Sequence, residues 1–73
     1  MTNYKQDVKA ILKAIEVAGG VKELAIKLGI SYQSVLDWKN QRRVPSHLNC
    51  LKIEKATDGK VNRKDILPDY PWE

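Results

Sequence analysis

Between Ser31 and Arg43 the chain reads SYQSVLDWKNQRR, and these side chains are suited to gripping and reading a polyanion. Placed on a helix at 100° per residue, Gln33, Leu36, Asp37 and Asn40 share one edge, with Tyr32 at its amino end. Gln33 can meet adenine bidentately through N6 and N7, and Asp37 can accept from cytosine N4. Asp37 would also repel phosphates, so its presence calls for a base contact or an ion pair with Lys39, Arg42 or Arg43. Leu36 suits a thymine methyl and equally fits an ordinary exposed leucine. Tyr32 can lie on the sugar-phosphate edge or donate its hydroxyl. Beyond the helix, Arg42 and Arg43 can reach flanking phosphates and Asn40 can donate to one. The plainer alternative is a solubilising loop whose arginines offset the helix dipole.

Bond-breaking chemistry is not encoded. Cys50 and His47 are single residues, so neither an internal disulfide nor a zinc site is expected. No glycine-rich phosphate loop and no nucleophile with a base partner stand out, and the reading is a non-enzyme without metal or cofactor. Cys50 reads as a small core hydrophobe and His47 as a surface or phosphate-contacting residue. No apolar run approaches the ~18 residues of a membrane span, and the start MTNYKQDVKA lacks a signal-peptide core. A reducing cytoplasm, bacterial or phage-infected and close to the nucleoid, is the expected location, with no membrane partner.

The elements that must position these residues follow from periodicity. A chain of 73 residues allows one domain, 1–73, and its 42% apolar content argues against disorder. A net charge of +4 favours a polyanionic partner. A core this small is marginal, with about 60% of the unfolded surface buried, so dimerisation would help. Thr2 or Asn3 is expected to cap a first helix to about Ala18, with Val8, Ile11, Leu12 and Ile15 inward. Lys5, Lys9 and Lys13 form another stripe, either solvated or turned toward phosphates, the solvated reading being preferred. Gly19 and Gly20 end that helix and open the next.

From Val21 to Asn40 the pattern predicts two short helices around Gly29. Leu24, Ala25 and Leu28 face inward on the first, and Val35 and Trp38 on the second. Ile30 plugs the turn and Ser31 caps the second helix. Small Ala25 permits a close, steep crossing. This is the layout of a helix-turn-helix, whose second helix enters the major groove. Val44 is expected to plug the core before a Ser46-capped helix to about Thr57, with Cys50, Ile53 and Ala56 inward. Leu48 and Leu51 widen its apolar arc. Asp58-Gly59 makes a turn, and Asn62 caps RKDIL, which Pro68 ends. Tyr70 and Trp72 are expected to fold back over the core, with a dimer contact as the alternative.

Ala25, Gly29, Val35 and Trp38 stand at the spacing of the phage repressor and Cro class. The segment RRVPSHLNCLKIEKATDGKVNRKDILPDYPW resembles the tail of the Cro-like/YdaS-like group of phage and prophage regulators. The resemblance implies an all-α bundle of four to five short helices with a central helix-turn-helix at about 21–40, the lambda-repressor-like fold. It also implies a closing segment at about 58–73. Base contacts are implied at Ser31, Tyr32, Gln33, Leu36 and Asp37. Phosphate contacts are expected at Lys22, Ser34, Lys39, Asn40, Arg42 and Arg43. Many members carry Gln where this chain has Val21, so Lys22 and backbone N–H groups must hold that phosphate here. The expected function is a sequence-specific duplex-DNA regulator, a repressor acting as a homodimer on an operator. The alternatives are a DNA-binding antitoxin with a toxin partner, and a protein-only adaptor.

Overall fold

The computed structural model describes residues 5–72. Its first helix, α1 (Val8–Ala18), starts where Asp7 turns extended and its carboxylate accepts from the Lys9 N–H at 2.9 Å. An aspartate here satisfies an orphan donor and complements the helix dipole. The cap expected at Thr2 or Asn3 lies outside the described residues. The buried stripe of α1 is Ala10, Ile11 and Ala14, whereas Leu12 is 45% exposed. Two alanines let neighbouring helices approach closely, and this rotates the contact away from Leu12 and leaves Val8 and Ile15 half-buried. Lys5, Lys9 and Lys13 are all exposed.

Helices α2 (Val21–Leu28) and α3 (Tyr32–Lys39) pack on α1 and on each other. Each of the first four helices is closed by the same pair of backbone hydrogen bonds. After α1, Gly20 N–H donates to the Ile15 carbonyl at 2.9 Å and Gly19 N–H to that of Glu16 at 3.1 Å. After α2, Ile30 N–H reaches Ala25 at 3.0 Å and Gly29 N–H reaches Ile26 at 3.1 Å. The motif needs one residue in the left-handed region, which Gly19 (φ 100°) and Gly29 (φ 69°) adopt without a Cβ penalty. After α3 and after α4 (His47–Ala56) the same role falls to Gln41 (φ 61°) and Asp58 (φ 55°). These are less common choices.

Helix α4 lies against α2 and carries α5 (Arg63–Ile66), which also reaches α1. Ser46 accepts from the Asn49 N–H at 3.2 Å and starts α4 as expected. The residue that fills the core before it is Pro45, not Val44, which is 43% exposed. Proline has no N–H to leave unpaired, so it buries at lower cost than its neighbour. Cys50 and Ile53 face inward with Ala56 partly covered. Thr57 is a buried polar residue. Its hydroxyl donates to the Ile53 carbonyl at 2.9 Å and accepts from the Val61 N–H at 3.1 Å. That clasp turns the chain so that Val61, Ile66 and Leu67 close the core. Asn62 and Asp65 form a reciprocal capping box at α5. The Asp7 N–H donates to the Ile66 carbonyl at 2.9 Å and joins the two ends of the fold.

The carboxyl tail folds back. Trp72 donates from Nε1 to the Leu67 carbonyl at 2.9 Å. The Tyr70 hydroxyl lies 3.1 Å from His47 Nδ1, and both aromatic rings pack against the core cluster. Leu51 is half-buried beside them, while Leu48 remains 60% exposed.

Candidate nucleic-acid interface

Helix α3 is fixed from both ends. At its start, Ser31 is extended (φ −74°, ψ 151°) and its Oγ accepts from the Ser34 N–H at 3.2 Å. The two serine hydroxyls lie 2.9 Å apart. At its end, Arg42 N–H donates to the Asp37 carbonyl at 2.8 Å and Gln41 N–H to that of Trp38 at 3.1 Å. Gln6 adds a long-range clamp, its Nε2 donating to the same Trp38 carbonyl at 2.6 Å. Val35 is fully buried and Trp38 is 3% exposed. This inward pair sets the rotation of the helix, and the opposite edge is thereby presented to solvent.

On that edge Ser31, Tyr32 and Gln33 are exposed, Tyr32 by 53%. Ser34, Leu36 and Asp37 are half-buried. Lys39, Asn40, Arg42 and Arg43 are exposed as the chain leaves the helix. Lys22 is exposed in the first turn of α2, where Gly20 supplies no side-chain cap and Glu23 partly offsets the positive field.

Three of these residues form a network. Gln33 Nε2 donates to Asp37 Oδ1 at 3.0 Å. On the other side of the carboxylate, Arg43 Nε lies 3.8 Å from Oδ2. The sequence anticipates a partner for Asp37 among Lys39, Arg42 and Arg43, but not the Gln33 bond. Its signal is the i, i+4 spacing of an amide and a carboxylate on one helix face. Lys39 and Arg42 do not join the network. The Gln6 clamp carries no local sequence signal, because its partner lies 32 residues away.

Among the described residues no group of three or more His, Cys, Asp and Glu is placed to hold a metal ion. No described helix is long and apolar enough to cross a membrane. Burial pushes the Cys50 thiol up from 9.0 to about 12, the opposite of what a reactive thiolate requires.

A short helix held by a glycine turn against its predecessor, with a polar, basic edge uncovered, defines the helix-turn-helix class. More specifically, the chain belongs to the family described as "Bacterial toxin YdaS", whose model matches residues 11–73. It is 36% identical over 69 residues to the "Putative transcriptional regulator YdaS" of Escherichia coli strain K12, covering 93% of this chain and 69% of that protein. It is 33% identical over 55 residues to the "Regulatory protein cro" of Pseudomonas phage D3, covering 75% of each chain. No solved structure matches it.

Proposed function

We propose that this protein is a non-enzymatic transcriptional regulator that binds duplex DNA sequence-specifically, with α3 in the major groove. One observation carries the reading. Val35 and Trp38 are buried while Tyr32, Gln33 and the basic turn after Asn40 stay exposed. Gln33 reads adenine, Leu36 meets a thymine methyl, and Ser31 and Tyr32 border the same bases. Lys22, Ser34, Lys39, Asn40, Arg42 and Arg43 hold the phosphates and set affinity without reading sequence. Regulation is repression by occupancy. Two copies sit on half-sites about one helical turn (~34 Å) apart and exclude polymerase. The names of the two relatives, a transcriptional regulator and a Cro regulatory protein, support a regulatory role. Selection of preferred duplexes from a random pool, with the stoichiometry of the bound species measured alongside, tests this. A symmetric consensus bound by two copies is expected. Recovery of no consensus would overturn it.

The family's description favours a second reading, a protein harmful to its host. The two readings separate on one comparison. If harm arises from DNA occupancy, expressing Gln33→Ala or Arg43→Ala relieves growth inhibition in step with lost binding. Undiminished inhibition by variants that no longer bind DNA would assign the harm to another surface.

A further inference from the structure

Asp37 is the one acidic side chain on the presented edge of α3, and a bare carboxylate there opposes every phosphate nearby. Its geometry gives it a different task from touching a base. The side chain is only 17% exposed, against 76% for Arg43. Each of its oxygens already has a partner, Gln33 Nε2 on Oδ1 at 3.0 Å and Arg43 Nε beside Oδ2 at 3.8 Å.

A carboxylate only accepts hydrogen bonds, whereas a glutamine amide both donates and accepts. Asp37 therefore selects one of the two amide orientations of Gln33, with nitrogen toward the carboxylate and oxygen turned away. The amide keeps its oxygen and a second N–H to offer. Those are the acceptor and donor that the N6 and N7 edge of adenine demands. The flipped orientation would set oxygen against oxygen and is repelled. Arg43 meanwhile offsets the negative charge, and so gives up part of its hold on a nearby phosphate.

We infer that Asp37 is a positioning residue for specificity: it orients the Gln33 amide for a purine edge and restrains Arg43, lowering affinity for random DNA while sharpening discrimination. This rests on the base-reading role of Gln33 given above.

The test is a double-mutant cycle on the selected duplex, its single-base-pair variants and a random duplex, across a salt series. The proteins are wild type, Asp37→Asn, Gln33→Ala and the double variant. Asp37→Asn is isosteric, but its amide can meet Gln33 in either orientation, and circular dichroism checks that it folds. The expected result has three parts. Asp37→Asn lowers discrimination about tenfold at the base pair read by Gln33. It also tightens random-duplex binding and steepens the salt slope by a fraction of a unit, as Arg43 is released wholly to phosphate. Finally, it has no further effect on discrimination once Gln33 is alanine. Loss of discrimination at a different base pair, persisting in the Gln33→Ala background, would make Asp37 a direct base contact and overturn the inference. Unchanged discrimination in Asp37→Asn would also overturn it. If Gln33→Ala itself leaves preference intact, the base-reading role of Gln33 has failed, and that result is distinct from the other two.

Discussion

At the scale of single residues, the proposed DNA contacts divide into charge that would grip and polarity that would read. Arg43 illustrates the first. Its guanidinium is 76% exposed and 3.8 Å from Asp37, an ion pair that solvent screens and that contributes little to folding. So weak a pair leaves the guanidinium shared between Asp37 and a nearby phosphate. Arg43→Ala is expected to weaken binding to every duplex alike and to reduce the salt slope by a fraction of a unit, measured by titration over a salt series. A loss confined to one sequence would assign Arg43 to a base instead. The chemistry of Gln33 and Asp37 is legible as residue types on one helical edge, and that of Arg43 in the basic turn beyond it. Their mutual bonding was not, because a single sequence leaves open which of three nearby cations would meet Asp37.

At the scale of elements, the helix-turn-helix was readable because its signals are local. Gly29, Ser31 and the Val35–Trp38 stripe each follow from backbone conformation and period. Period misleads where packing overrides bulk. Leu12 is large and in period, which points it inward, yet Ala10 and Ala14 take the contact because they permit closer helices. Val44 and Pro45 exchanged places for a related reason, since the buried residue is the one without an N–H. The Thr57 clasp was also hidden, because a threonine at a helix end has no period to betray it. Thr57→Val keeps the shape and removes the hydroxyl that serves both the Ile53 carbonyl and the Val61 N–H. It should destabilise the fold by about 1–3 kcal/mol in chemical denaturation, because the Val61 donor is left buried and unpaired. Equal stability would show that another acceptor takes that N–H.

At the scale of the whole molecule, a small core is extended by its own tail. Tyr70 and Trp72 cover apolar surface that so small a core cannot spare. Cys50 lies within that core and reports on its integrity. Its thiol titrates near 12 in the folded protein against 9.0 for the ordinary group. Above pH 9.0 the unfolded chain gives up this proton first, so the thiol's contribution to stability, intact below that pH, is lost progressively toward about 12. The stability of Cys50→Ala should consequently fall less steeply than that of wild type above pH 9.0, compared by thermal melts across the alkaline range. Parallel curves would mean that the thiol is not shielded.

The most direct measurement titrates the selected duplex and each of its single-base-pair variants with wild type and with Gln33→Ala. The variant is expected to lose about 1–3 kcal/mol on the selected duplex and to become indifferent at one base pair, with its other preferences retained. An equal loss on every duplex, or no loss on any, would contradict a reading edge on α3.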